Sequence, residues 1–291
     1  MSLVSPKLLL RRLGLKPRKS WGQHFLLYPH QARRIVAALE LTSRETVVEI
    51  GPGLGALTVF LAPAAARVVA LEVDPRLCHF LQEELFPAPA PVQVRCQDAL
   101  AFDFPALSRE AGGPLVVAGN LPYQITSPLL FKLVDEEAAL SRAVFMVQKE
   151  VGERLLAPPG TKDYGVLTVL LQYHFRLKRL FSLGPANFYP RPKVASMVLA
   201  LTPVGPEARA GDEALLRRLV KAAFQPRRKT LRHNLVAQSL AFGLSREEMA
   251  EALAAAGIDP GRRGETLSLA EFVALCNIIL IAADREFEPF C

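Results

Sequence analysis

Four consecutive residues, Asn120-Leu121-Pro122-Tyr123, can hold and activate an exocyclic amine on a planar base. Such an amine is a poor nucleophile, because its lone pair is delocalised into the ring. Acceptors that take both of its N–H groups favour a pyramidal nitrogen, whose lone pair is then free to attack an electrophilic carbon. The Asn120 side-chain oxygen and the Leu121 backbone carbonyl are two such acceptors. Pro122 biases Leu121 toward an extended backbone and so sets where that carbonyl points. Tyr123 offers a ring for an extruded base, and stacking of this kind is worth ~1–3 kcal/mol per base. No strong general base is required, since the amine becomes more acidic once it has attacked. Alignment in a water-excluding site supplies the rest. Phe188, within Asn187-Phe188-Tyr189-Pro190-Arg191-Pro192, is the candidate for the other face of the base, with Arg191 and Lys193 beside it for a phosphate. The bland alternatives are a turn after a strand for Asn-Leu-Pro-Tyr and a core aromatic for Phe188.

A second constellation lies upstream. Glu49-Ile50-Gly51-Pro52-Gly53-Leu54-Gly55 follows an apolar strand candidate and opens a helix. Glycines there let the backbone turn tightly and approach a ligand. The spacing is GxGxG, with a proline inside and without the third glycine of a dinucleotide fingerprint. Both details suit an S-adenosylmethionine loop, which need not cradle a pyrophosphate. Glu72 follows Gly51 by about 20 residues, the spacing at which an acid meets ribose hydroxyls in nucleoside-binding sheets. Asp98, after the third strand, is placed to accept from the cofactor's adenine amine. Asp74 competes with Glu72 but is better read as a helix cap before Pro75.

These residues need a scaffold of alternating strands and helices. Apolar runs at Thr46–Ile50, 68–73, Val92–Cys96, 115–118 and 143–147 are continuous rather than alternating, as in parallel strands buried on both faces. Asp74-Pro75 and Ser127-Pro128 both read as helix starts. Two further strands are expected around 174–181 and 197–201, separated by the proline-rich loop that carries Phe188. The implied fold is α/β, a doubly wound, mainly parallel seven-stranded sheet. Residues 203–211 read as a linker, beyond which only helical patterns occur. Ser245 with Glu248, and Ser268 with Glu271, match capping boxes, and Gly257 closes the helix between them. Two domains are expected: 1–205 around the sheet, with a basic N-terminal segment, and 206–291, small and all-helical.

Charge is unevenly distributed. The chain has 291 residues, 51% hydrophobic, with 35 Lys+Arg against 28 Asp+Glu. No acid precedes Glu40, whereas Lys7, Arg11, Arg12, Lys16, Arg18, Lys19, Arg33 and Arg34 do. Residues 221–232 are also acid-free and contain Arg227, Arg228, Lys229 and Arg232. Two such runs around a catalytic-looking core point to a polyanion. Cys78, Cys96, Cys276 and Cys291 form no CxxC pair and have no histidine cluster beside them. Neither a metal site nor a disulfide framework is expected, and a reducing cytoplasmic setting fits. The apolar run 272–283 is too short to span a bilayer and reads as a buried helix.

From about Lys16 to about Phe272 the chain resembles the ribosomal RNA adenine N6-dimethyltransferases of the kasugamycin-sensitivity type. Lys19-Ser20-Trp21-Gly22-Gln23-His24-Phe25-Leu26 resembles the family's N-terminal cofactor motif, with His24 where the family usually has Asn. The motif match carries cofactor roles onto Gln23, His24, Leu26, Gly51, Gly53, Glu72, Asp98 and Asn120. Phe188-x-Pro190-x-Pro192-Lys193-Val194-x-Ser196 and Phe224 through Arg232 resemble the dimethyltransferase pattern, and the second segment is poorly matched by erythromycin-resistance enzymes. The resemblance implies a Rossmann-like class I methyltransferase that uses S-adenosylmethionine and releases S-adenosylhomocysteine. It further implies two adjacent adenines, in a hairpin near the 3′ end of small-subunit ribosomal RNA, each receiving two methyls within an immature subunit. A monomer is expected, with neither membrane nor metal as partner. A resistance-type enzyme acting on large-subunit RNA, a DNA adenine methyltransferase, an assembly factor and a transcription factor of this fold are the rivals.

Overall fold

The computed structural model describes residues 5–18, 21–204 and 209–284. Lys19 and Ser20, half of the linker, Cys291 and the rest of the tail from 285 fall outside the described residues. The chain divides into two compact units, 1–152 with 175–203, and 153–174 with 204–291.

Nine strands belong to the first unit: β1 (Phe25–Leu26), β2 (Thr46–Ile50), β3 (Arg67–Glu72), β4 (Val92–Cys96), β5 (Leu115–Asn120), β6 (Leu140–Gln148), β7 (Phe175–Leu183), β8 (Phe188–Tyr189) and β9 (Ser196–Pro203). Seven of them form one sheet in the order β4-β3-β2-β5-β6-β9-β7. β4, β3, β2, β5 and β6 are mutually parallel, and β9 is antiparallel to both its neighbours. The continuous Val-, Leu- and Ala-rich runs of β2, β3 and β5 are buried almost end to end, because helices cover both faces of a parallel sheet. Strand order reverses on either side of β2. The carboxyl ends of β2 and β5 therefore flank the crevice in which open α/β sheets bind ligands.

Local signals explain most helix starts. Asp74 caps helix Pro75–His79 through an acceptor bond from Arg76 N–H, and Asp103 does the same for helix Phe104–Ala111. Ser127-Pro128, expected to open a helix, lies inside one. Helix Thr126–Asp135 begins two residues earlier, after Ile125, with no side-chain cap. Pro128 still falls in the first turn, where its missing N–H has no intrahelical partner to lose.

The second unit is helical. It contains Val166–His174, Glu213–Ala223, Leu231–Asn234, Arg246–Ala255 and Leu269–Asp284. The Ser245–Glu248 capping box forms reciprocally, as does Ser268 with Glu271. In its core Phe224 stacks on Phe272 at 6.2 Å and meets the Tyr164 ring at a tilt at 6.1 Å. The final helix buries Phe272, Leu275, Cys276 and Ile279 but leaves Ile281 56% exposed, so it is buried on one face rather than all round. Residues 153–174, expected with the sheet, pack in this unit instead. Gln172 reaches the Leu155 and Ala157 carbonyls, and the Tyr173 hydroxyl accepts from Ala210 N–H.

Candidate active site

The loop after β2 turns on three left-handed glycines, Gly51 at φ 64°, Gly53 at φ 59° and Gly55 at φ 79°. The positive φ at Gly53 favours glycine, and a Cβ there would stand a tight 3.1 Å from the Phe25 ring. The loop is tied to the end of β3 by Glu72. One carboxylate oxygen of Glu72 accepts from Gly53 N–H at 3.0 Å. The other accepts from Val73 and Asp74 N–H, each at 3.0 Å. Burial pushes the Glu72 carboxyl up, against the three backbone donors that favour its charged form.

Gln23 joins the same corner from the N-terminal segment. Its amide donates to Asp74 Oδ2 at 3.2 Å and accepts from Arg18 N–H at 2.8 Å. Asp98, after β4, is exposed on one side and accepts from Leu100 N–H at 2.9 Å.

Asn120 ends β5. Its amide nitrogen donates to the His24 carbonyl at 2.9 Å, and that partner fixes which end of the amide is the free acceptor. Leu121 N–H donates to the Met146 carbonyl at 2.9 Å, tying the motif to β6. The Tyr123 and His24 rings lie 5.8 Å apart at 34°. His24 Nδ1 sits 2.7 Å from the Pro190 carbonyl, which makes Nδ1 the protonated nitrogen. Tyr123 is half-buried, and burial raises its phenol.

A cavity of about 310 Å³ collects these groups. Gln23, His24, Leu26, Gly51, Gly53, Glu72, Asp98, Asn120, Leu121, Tyr123 and Phe188, all singled out from sequence, line it. Leu26 and Phe188 also belong to the buried core, where they face each other in the two-stranded β1–β8 ladder. Phe188 is thus part of the cavity wall and at the same time a core aromatic.

The basic segment of the second unit is divided. Arg228, Lys229 and Arg232 are exposed. Arg227 is engaged by Glu265 at 3.1 Å and by the Lys162 and Tyr164 carbonyls. It fastens a loop of its own unit rather than standing as a free cation.

Sequence reasoning assigned no role to Glu49. It lies at the end of β2, 1% exposed, lining the cavity, and its Oε2 has no hydrogen-bond partner among the described residues. Burial raises its carboxyl from 4.5 to about 8 despite the Thr58 hydroxyl beside it, with the Glu72 charge adding to the rise. The available signal was an acid in an otherwise apolar strand. Trp21 lines the cavity too, with the Arg18 guanidinium 4.2 Å over its ring.

The family described as ribosomal RNA adenine dimethylase matches residues 14–280. A ribosomal RNA small subunit methyltransferase A of Geobacter metallireducens is 46% identical over 273 residues, 93% of this chain and 98% of that protein. Its namesake in Myxococcus xanthus is 47% identical, covering 94% of each chain. A crystal structure of a dimethyladenosine transferase from Plasmodium falciparum matches with a TM-score of 0.75 at 25% identity, over 90% of this chain and 98% of that one. The 23S ribosomal RNA methyltransferase ErmE matches with a TM-score of 0.65 at 26% identity, over 88% and 99%.

Proposed function

The chain belongs to the ribosomal RNA adenine dimethylase family, and from that premise we propose that it dimethylates N6 of adenines in small-subunit ribosomal RNA with S-adenosylmethionine as donor. The finer reading is two adjacent adenines in a hairpin near the RNA's 3′ end, modified in an immature subunit. The observation that carries the proposal is the Asn120 amide. Its nitrogen is spent on the His24 carbonyl, which leaves its oxygen as an acceptor on the cavity that the glycine loop and Glu72 also line.

The residues suit the donor. Gly51 and Gly53 line the cavity without a Cβ, and Glu49 Oε2 is a buried polar atom with no hydrogen-bond partner among the described residues. The cavity has the scale of small-molecule sites. Glu72 would take the ribose hydroxyls, Asp98 the donor's adenine amine, and Gln23, His24 and Leu26 the remaining wall. When bound, S-adenosylmethionine supplies an electrophilic methyl on a sulfonium.

Asn120 Oδ1 and the Leu121 carbonyl would hold the two protons of the target amine, so that its nitrogen turns pyramidal toward the methyl. Leu121 is fixed for this by its bond to Met146 and by Pro122. Tyr123 would stack on the base, with Phe188 closing the opposite side. After one transfer a single N–H remains, and one of the two acceptors can hold it for the second.

The exposed Arg228, Lys229 and Arg232 would take RNA phosphates. Transfer of labelled methyl from S-adenosylmethionine tests the substrate class. Undermethylated small subunits should be labelled, and large subunits and DNA should not. Label on large subunits or DNA in preference would overturn the reading.

A further inference from the structure

The second unit's basic segment is not the only cationic surface. Residues 1–39 contain no acid, and neither do residues 164–206. The parts of these stretches that belong to the first unit meet. Phe25 and Leu26 pair with Tyr189 and Phe188, and Leu27 N–H donates to Asn187 O at 2.8 Å. The Arg34 guanidinium lies 3.7 Å over the Phe181 ring of β7, and Arg33 lies 5.1 Å over Phe60. Arg179 leans on the Ser182 hydroxyl. All these arginines, with Arg191 and Lys193, are exposed. Among the described residues, none of the five is paired with a carboxylate.

The sheet places this surface beside the cavity. β7 is the edge strand and runs in the same direction as β6, since β9 is antiparallel to both. Leu183, Ser196 and Gln148 form one row across β7, β9 and β6 at the carboxyl end, and Ser196 lines the cavity. Phe181 stands in the row of Val198, two residues from Ser196 along β9. Helix Pro29–Ala37 starts just past the β1–β8 ladder. Just past its other end, Arg142, near the start of β6, binds the Leu39 and Glu40 carbonyls and the Glu45 carboxylate. Glu45 is held at the amino end of the sheet by Arg142, whereas Arg191 and Lys193 directly follow β8, whose Phe188 lines the cavity.

We propose that the first unit carries its own track for the RNA sugar–phosphate backbone, formed by Arg33, Arg34, Arg179, Arg191 and Lys193, which holds the strand flanking the base inserted in the cavity. Aromatic rings under Arg33 and Arg34 hold the guanidiniums spread without neutralising them, as cation–π stacking does. A guanidinium so held donates two parallel N–H bonds to a phosphate, which a mobile ammonium does not. The proposal rests on the reading that RNA is the substrate, and it adds where the first unit grips it.

The test is the salt dependence of binding to undermethylated small-subunit RNA, measured for the full chain and for the Arg33→Gln/Arg191→Gln/Lys193→Gln variant. Each phosphate contact contributes ~0.7–0.9 to the slope of log affinity against log salt, so three lost contacts lower the slope by about 2–3. S-adenosylmethionine affinity by calorimetry should stay at the wild-type value, which also reports that the variant is folded. If the triple variant fails that check, Arg33→Gln alone should lower the slope by ~0.7–0.9. Arg34→Lys keeps the charge and should keep the wild-type slope. An unchanged slope in a folded charge-removed variant would overturn the proposal, as would a slope loss in Arg34→Lys equal to that of the triple variant. A wild-type chain that binds this RNA with a steep slope yet forms no dimethyladenosine would instead overturn the assigned activity and leave the track standing.

Discussion

Glu49→Gln isolates a buried proton beside the cavity. The Glu49 carboxyl titrates near 4.5 when solvated and near 8 in the fold. Between those values the folded state holds one proton that the unfolded state has released, so stability falls as pH rises. The contribution is complete below about pH 4.5 and lost above about 8. At 1.36 kcal/mol per unit, that window corresponds to about 5 kcal/mol. Glutamine has the same shape and no titration. Denaturant unfolding at pH 5, 7 and 9 should therefore give a difference between variant and wild type that grows steadily with pH in favour of the variant. Subtracting one protein from the other cancels the titrating groups that do not interact with Glu49. A difference that stays flat from pH 5 to 9 would refute the buried neutral carboxyl, and one that grows toward acid pH would reverse its sign.

Three further outcomes follow from the site. Asn120→Ala should lower kcat by about 100- to 1000-fold, the usual effect of removing one positioned hydrogen-bonding group from a reacting centre. Subunit binding should change little, and full activity in this variant would remove Asn120 from its role. Glu72→Gln turns one acceptor into an amide donor facing backbone N–H groups that now bond the carboxylate at 3.0 Å. At about 1.5–3 kcal/mol for a bond to a charged group, S-adenosylmethionine should bind about tenfold to a hundredfold more weakly by calorimetry. Neutralising Arg228, Lys229 and Arg232 together should flatten the salt dependence of RNA binding by about 2–3 in slope without altering the thermal midpoint. Arg227→Gln should lower that midpoint instead, because it releases Glu265 and two backbone carbonyls.

The parallel sheet was legible because burial on both faces leaves unbroken apolar runs, as in β2, β3 and β5. The cavity residues were legible for the same reason. Once strand order is known, Gly51, Glu72, Asp98 and Asn120 must all fall at carboxyl ends, on one side of the sheet. Other features had no periodic signal to read. The β1–β8 ladder is two residues long on each side, too short for alternation to register, yet it makes Phe188 a wall of the site. Helical periodicity in 166–174 says nothing about which core it joins, and contacts such as that of Tyr173 with Ala210 decide that. Arg227 looked equivalent to Arg228 in a basic run, but only its partners across the fold separate clamp from free cation. Ser127-Pro128 carried a valid capping signal that the turn after Pro122 overrode by starting the helix sooner.

The most direct test of the central claim is the identity of the modified nucleoside. Undermethylated small subunits, incubated with labelled S-adenosylmethionine and either wild type or Asn120→Ala, are digested and their nucleosides separated. Wild type should yield N6,N6-dimethyladenosine carrying the label, and Asn120→Ala should yield almost none while still binding the subunit. Label recovered in any other nucleoside, or no label with wild type, would contradict it.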